Sequence, residues 1–166
     1  MIQDLRVRHR EYSTARSFEE VVTAFEVAVG TLEDIGVPSI VAESKDAADF
    51  EARIQKTLGP SGFTRFFSAD HGGWLTFIGQ PAKVRVYTIG NPLIAITMLR
   101  HDIRVGLNVP VRVTIYRDDA SGTTRFGYDE PSTLMSGLDN KDVTAAAEKL
   151  DAKLAALAEQ VTGAQA

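Results

Sequence analysis

The sequence of 166 residues contains no cysteine. This absence excludes disulfide bonds, thiolate metal sites and cysteine nucleophiles. Long apolar runs are absent as well. No stretch approaches the roughly 20 residues of a membrane-spanning helix, and residues 1–10 alternate charged with apolar side chains, unlike a signal peptide. We therefore expect a cytoplasmic protein with no membrane partner.

The chain also lacks a large excess of one charge. Its formal net charge is −4, so the molecule as a whole is not attracted to the phosphates of nucleic acids or to anionic lipids. We expect no nucleic-acid partner. With 44% hydrophobic and 24% charged residues, the composition is that of an ordinary globular protein, and the length fits one domain spanning residues 1–166.

Motifs of several common enzyme classes are missing. The sequence has no Gly-rich phosphate loop, no G-x-G-x-x-G, no H-E-x-x-H and no G-x-S-x-G. Their absence argues against NTPases, dinucleotide-dependent enzymes, zincins and serine hydrolases. Composition and pattern therefore define the fold class more closely than they define a reaction.

The segment 83–117 organises the predicted fold. Residues 84–88 and 111–116 alternate apolar with polar side chains and predict two half-buried strands. Between them, Asn91 is a suitable helix N-cap and Pro92 a suitable first helical residue. The apolar residues that follow have a spacing that places them along one side of this helix: Ile96, Leu99, Ile103 and Leu107.

Similar patterns predict the other elements. Residues 5–13 predict a strand with a basic face, which we interpret as a solvated or protective sheet edge rather than a contact for an acidic partner. Residues 17–20 form a capping box before a helix, and the apolar run 37–42 predicts a short strand. The remaining predicted features are a helix capped by Ser44, a break at Gly72-Gly73, a hairpin at 118–122 and a C-terminal helix capped at Asp139 or Asn140 with a buried stripe from Val143 to Val161.

His71 is the first candidate for acid–base chemistry. Asp70 precedes it, and Gly72-Gly73 leave room for a ligand close to the backbone. Because adjacent residues on a regular strand point to opposite faces, Asp70 orients the His71 imidazole only if the chain turns there. Glu130 is an alternative orienting group. Trp74 is a candidate pocket residue, since its indole combines an apolar body with a polar N–H.

His101 lies between Arg100 and Asp102 on the predicted helix. Met98 precedes it by about one turn, and such a methionine–histidine pair could bind a haem or a soft metal. The alternative is a solvated polar face, because methionine at helical spacing usually packs in a core. His71 and His101 could also share a metal ion, although their separation along the chain is not diagnostic.

Tyr128 and His9 receive different interpretations. Tyr128, at the end of a predicted strand, is a candidate ligand contact on the same grounds as Trp74. His9 alternates with the apolar residues of the first strand and is interpreted as a structural histidine.

Four short motifs occur in order along the chain. They are Asp70-His71, Ile89-Gly90-Asn91-Pro92, Gly106-Leu107-Asn108-Val109-Pro110 and Tyr128-Asp129-Glu130-Pro131. Over roughly residues 12–161 they resemble the domain-of-unknown-function 302 family, which typically shows D-H, F-G-N-P, G-L-D-L-P and Y-N-D-P. The resemblance implies an α+β fold, a two-layer sandwich in which helices pack on a curved, mainly antiparallel sheet, often as a homodimer and with no assigned activity.

The leading hypothesis is a small-molecule-binding domain that forms a homodimer. Its pocket is expected near His71, Tyr128 and His101, and the expected ligand contacts are Trp74, Asn91, Arg100, His101, Tyr128 and Glu130. One alternative is an enzyme in which His71 is the general acid or base and Asp70 assists it. Another is a haem- or metal-binding protein that uses His101 or His71.

Overall fold

The computed structural model describes residues 2–33 and 35–164, in which a six-stranded sheet is combined with seven helices. The strands are β1 (His9–Thr14), β2 (Gly30–Thr31), β3 (Thr64–Asp70), β4 (Val84–Gly90), β5 (Val111–Asp118) and β6 (Thr123–Asp129). The helices are α1 (Phe18–Ala28), α2 (Val37–Glu43), α3 (Ala47–Gln55), α4 (His71–Thr76), α5 (Pro92–Leu99), α6 (Pro131–Leu134) and α7 (Lys141–Thr162). Residues Ile103–Leu107 and Ser136–Leu138 form short 3-10 helices.

The sheet is mixed and mostly antiparallel. Its strand order is β1-β6-β5-β4-β3-β2, with a parallel pairing of β2 with β3 and antiparallel pairings elsewhere. Helices α1 and α7 pack with the sheet around one hydrophobic core. This architecture confirms the predicted α+β two-layer sandwich. Of the helices in the described ranges, none combines the length and apolar character needed to cross a membrane.

The core lies between the sheet and helices α1 and α7. In β5, Val111, Val113 and Ile115 are buried on the helical side, whereas Arg112 and Thr114 lie on the opposite side, which we call the open face. Every member of the stripe predicted on α7 is buried: Val143, Ala147, Leu150, Leu154, Leu157 and Val161. The long C-terminal helix is therefore packed across its own sheet, as its spacing predicts.

The central helix begins where the sequence predicts but ends earlier. The Asn91 side chain accepts a hydrogen bond from the Leu93 N–H, and Pro92 occupies the first turn. The helix stops at Leu99, because Asp102 adopts an extended conformation and caps the 3-10 segment by accepting from the Arg104 N–H. As a result the side chains of Ile103 and Leu107 are 84% and 89% exposed and do not continue a buried side.

The predicted strand at 37–42 is wrong. These residues belong to α2, in which Pro38 occupies the first turn, where its missing N–H costs nothing. A short apolar run does not distinguish a strand from a buried helical turn, so the proline is the more informative residue. Ser44 ends this helix, and Asp46, not Ser44, caps α3 through the Asp49 N–H.

The predicted break at Gly72-Gly73 is also wrong, since both glycines lie inside α4. The helix forms there because the Asp70 carboxylate accepts a hydrogen bond from the Gly73 N–H at 3.0 Å. Gly72 in addition lies against the chain at Ala82, and a Cβ on it would be 2.1 Å from the Ala82 carbonyl oxygen. Close packing therefore requires glycine at position 72.

We predict that Asp151→Asn stabilises the protein at pH 7. Burial raises the pKa of Asp151 on α7, with Glu130 adding repulsion, while its carboxylate accepts from the Ser132 N–H at 3.1 Å. An asparagine oxygen keeps that hydrogen bond and removes the disfavoured charge. Because the folded pKa lies above the unfolded value of 3.8, ionised Asp151 lowers stability as pH rises above that value.

Thermal melts of both proteins at several pH values test this prediction. The increase in Tm caused by Asp151→Asn should shrink as pH falls through 3.8, because below that pH the wild-type side chain becomes protonated in both the folded and the unfolded state. Glu159→Gln, which removes an exposed charge from the same helix, is the matched control. Equal shifts for the two variants would contradict the assignment to burial.

Candidate functional site

An apolar cavity of about 320 Å³ lies beneath α5 at the end of the sheet where β4 finishes and β5 begins. Helices α2 and α7 contribute Val37 and Leu150 to its wall, and β3 contributes Phe66. The other lining residues are Ile89, Gly90, Asn91, Pro92, Ile94, Ala95, Met98, Leu99, Gly106, Val109, Pro110 and Val111.

Two of the four sequence motifs form this cavity together. Gly90-Asn91-Pro92 turns the chain from β4 into α5, and the end of the segment 106–110 returns it to β5. At the junction, a Cβ on Gly90 would be 3.2 Å from both Phe66 and Pro110. Glycine at position 90 thus allows these two side chains to approach the end of the strand.

Asn91 is the one residue with a polar side chain on this lining, and both ends of its amide are occupied. Its Oδ1 accepts from the Leu93 N–H at 2.9 Å, and its Nδ2 donates to the Gly62 carbonyl at 3.0 Å. The one polar side chain of the lining is therefore hydrogen-bonded within the protein at both ends of its amide. The cavity suits an uncharged, apolar molecule, because a buried polar group without a partner is destabilising.

His71 and Asp70 lie at the opposite end of β4 from this cavity. Asp70 pairs with Arg85 near the start of β4, whereas the cavity follows Gly90 at its end. The His71 ring packs on Trp74 with 4.3 Å between ring centroids. The Asp70 carboxylate caps α4 through Gly73, so the structure gives it a capping role and no hydrogen bond to the His71 imidazole.

His101 and Arg100 lie just beyond the end of α5. The His101 Nδ1 is 3.8 Å from an Asp142 carboxylate oxygen, and Arg100 is exposed. His71 and His101 are separated by the length of β4, about 20 Å for its seven residues, so they cannot bind one metal ion. Within residues 2–33 and 35–164, no group of three or more His, Cys, Asp or Glu side chains is arranged to hold a metal.

Tyr128 belongs to the core. It is 3% exposed and stacks with Tyr12 at a centroid distance of 6.3 Å, and burial raises the pKa of its hydroxyl well above the usual range. The pocket predicted near His71, Tyr128 and His101 does not form. Tyr128 is on β6, separated from β3 by two strands, and His101 lies at the other end of the sheet from His71.

Glu130 is buried and makes contacts that stabilise the fold. It is 4% exposed, and its carboxylate accepts from Arg8 at 2.8 Å and from Arg10 at 2.6 Å. These contacts join β1 to the turn that starts α6. They also explain part of the basic face predicted on the first strand, because two of its arginines are paired within the molecule.

The cavity itself was not predicted, although the sequence contains a signal for it. Of the eight residues in α5, Thr97 is the single polar one, so the helix is apolar all round. A helix of this kind needs apolar surroundings on more than one side. Met98, considered above as a metal ligand, is fully buried and lines the cavity.

Comparison with known proteins gives a family. The family model described as "Domain of unknown function DUF302" matches residues 39–161. The chain belongs to the DUF302 family. The four motifs on which the resemblance was based lie within the matched residues. Those at 89–92 and 106–110 contribute residues to the apolar cavity.

A solved DUF302 structure has the same fold. It is an uncharacterised conserved protein from Bacillus stearothermophilus, with a TM-score of 0.65 and 17% sequence identity over 92% of this chain and 97% of that chain. No curated protein matches this sequence. At this identity the structural similarity defines the fold alone.

We predict that Glu130→Gln destabilises the protein without affecting the cavity. The substitution replaces two charge-assisted hydrogen bonds of a buried carboxylate by weaker neutral ones, and we expect a loss of about 1–3 kcal/mol in unfolding free energy. Urea denaturation measures this loss, and the exposed Glu159→Gln serves as the control. If Glu130→Gln had the same unfolding free energy as the wild type, the contacts of Glu130 with Arg8 and Arg10 would contribute little to stability.

Proposed function

We propose that this DUF302 protein binds a small apolar molecule in the cavity beneath α5. The observation that carries the proposal is an apolar cavity of about 320 Å³ whose one polar side chain, Asn91, is hydrogen-bonded within the protein at both ends of its amide. Small-molecule sites typically begin at about this volume and bury most of their ligand. The proposal keeps the small-molecule hypothesis and moves its site from His71, Tyr128 and His101 to the segment after β4.

The chemistry of the lining defines the class of ligand. Aliphatic side chains from the helices α2, α5 and α7 and the strands β4 and β5 surround the cavity, and Phe66 adds one aromatic ring. Binding would come from removing apolar surface from water, at roughly 25 cal/mol per Å². A carboxylate or ammonium group deep in this cavity would find no partner and would lose its hydration. We therefore expect a hydrocarbon or an uncharged aromatic compound.

We predict that Ala95→Phe abolishes this binding. Ala95 lines the cavity from α5, and a benzyl group at this position would occupy the space that a ligand needs. The uncharged dye N-phenyl-1-naphthylamine should bind the wild-type protein saturably, with increased fluorescence. Its affinity for Ala95→Phe should fall at least about tenfold, equivalent to 1.4 kcal/mol.

A control variant separates plugging from a general effect of added phenylalanine. Ala156→Phe introduces the same side chain on the exposed side of α7 and should bind the dye as the wild type does. Leu99→Phe offers a second plug if Ala95→Phe fails to fold, as judged by circular dichroism. Saturable binding that neither plug weakens would place the dye elsewhere and refute the site.

We further propose that the protein acts as a homodimer. Trp74, Phe77 and Ile78, which we call the α4 patch, are 63%, 93% and 67% exposed. Apolar side chains exposed side by side commonly mark interaction surfaces, and a two-fold contact between identical chains is the commonest way to cover one. The patch lies at the other end of β4 from the cavity, so dimerisation would leave the cavity accessible.

We predict that Phe77→Glu converts the dimer to a monomer. A carboxylate at the centre of an apolar contact would face its own copy across the two-fold axis and lose hydration on association. Light scattering coupled to gel filtration measures the mass. Val27→Glu, at a 70% exposed position on α1, is the matched control and should remain dimeric. A monomeric wild type would refute the dimer and leave the cavity proposal untouched.

A further inference from the structure

A polar cleft on the open face is separate from the apolar cavity. It runs over the ends of β1, β6 and β5, has a volume of about 200 Å³ and is lined by His9, Arg112, Thr114 and Asp129 among others. A smaller depression continues it past Arg112 and Asp129 to Asn108. The segment 106–110 therefore borders both sites, since Gly106, Val109 and Pro110 line the apolar cavity and Asn108 faces the cleft.

The sheet register brings the cleft residues together. His9 on β1 lies opposite Asp129 on β6, and its Nδ1 is 2.8 Å from the Asp129 carboxylate. The ring lies over Gly127, where a Cβ would be in van der Waals contact with it, 3.5 Å from the His9 Nε2. The carboxylate fixes one ring nitrogen of His9, so the imidazole, although 58% exposed, has a defined position beside the cleft.

The charges around the cleft leave one cation without a partner. Asp129 is paired with His9, and Glu11, which lies 3.8 Å from the His9 Nε2, accepts hydrogen bonds from Arg125 and from the Tyr116 hydroxyl. In the described ranges, the ion pairs beside the cleft are His9–Asp129, His9–Glu11 and Arg125–Glu11, and none of them includes Arg112. The guanidinium therefore has its donors available at the surface of a cleft whose carboxylates are already engaged.

We propose that this cleft binds a small molecule bearing a carboxylate, with Arg112 as its paired cation and His9 and Asn108 as neighbouring hydrogen-bonding groups. A guanidinium matches the two oxygens of a carboxylate in a bidentate geometry. A phosphate dianion would carry more charge into a cleft that also contains Asp129 and Glu11, so a carboxylate monoanion is the better fit. This assignment changes the role of His9 from purely structural to a ligand contact.

The two proposed sites bind ligands through different side chains. Val111 lines the apolar cavity, whereas Arg112, the next residue, lines the cleft on the other face of β5. Neighbouring side chains on a strand point to opposite faces, so the cavity and the cleft of His9 and Arg112 share no lining residue, although Pro110 and Val111 also border the depression that leads to Asn108. The cavity proposal depends on its apolar lining and the cleft proposal on Arg112, so failure of one would leave the other unchanged.

The histidines of this protein provide a direct test. The chain has three, His9, His71 and His101, so their imidazole C–H signals can be assigned in NMR spectra by single His→Gln variants. Sodium acetate is titrated into the wild-type protein at fixed pH, with sodium chloride keeping the ionic strength constant. We expect the His9 signal to move along a saturable curve, with His71 and His101 as internal references.

Substitutions at Arg112 complete the test. Arg112→Gln should weaken acetate binding at least about tenfold. The acetate affinity of Arg112→Lys should lie between those of the wild type and Arg112→Gln, because lysine keeps the charge and loses the bidentate geometry. Arg117→Gln, near the other end of β5, is the matched control and should bind as the wild type does.

Three outcomes would overturn the proposal. The first is a His9 shift that is not saturable or that is no larger than those of the other histidines. The second is unchanged acetate affinity in Arg112→Gln. The third is tighter binding of inorganic phosphate than of acetate in a parallel titration, which would replace a carboxylate ligand by a phosphate-bearing one.

Discussion

The packing of α7 across the sheet is the interaction on which the other parts of this structure depend. Its buried stripe meets the same side of the sheet as α1, and fully burying each of its leucines contributes about 1.5–3 kcal/mol. One face of the sheet is thereby committed to the core. The period of two along each strand then decides which side chains remain for function, because every second residue must lie on the open face.

Strand β5 shows this division most clearly. Its buried valines face the helices, and Val111 at the start of the strand also borders the apolar cavity. Arg112 and Thr114 face outward into the polar cleft. An apolar cavity and a polar cleft thus border opposite faces of one strand. The physical cause is the pleat of the backbone, which turns successive side chains to opposite faces.

The apolar cavity arises because α5 covers the end of the sheet without filling the space beneath it. Asn91 caps the start of the helix, and the helix ends at Leu99 because Asp102 caps the 3-10 helix that follows. Local hydrogen bonds therefore set both ends of α5. At the end of β4, the absence of a side chain on Gly90 lets Phe66 and Pro110 pack closely against the strand. The structure from Bacillus stearothermophilus has the same fold at 17% identity, so the architecture tolerates extensive sequence change.

The sequence by itself determined the features that depend on near neighbours. The capping box at Ser17 and Glu20, the start of α5 at Asn91-Pro92 and the buried stripe of α7 are set by residues within a few positions of one another. The family motifs were also recognisable. Where local signals conflicted, as at Pro38 within an apolar run, the prediction of a strand was wrong.

Only the tertiary structure decided which distant residues meet. Glu130 contacts Arg8 and Arg10, and His9 meets Asp129, through the pairing of the first strand with the last, which no local pattern encodes. The same sheet places His71 and His101 at opposite ends of β4, although the sequence allowed them to share a site. The sequence identifies which side chains can take part in binding or catalysis, but strand order and register determine which of these groups lie together.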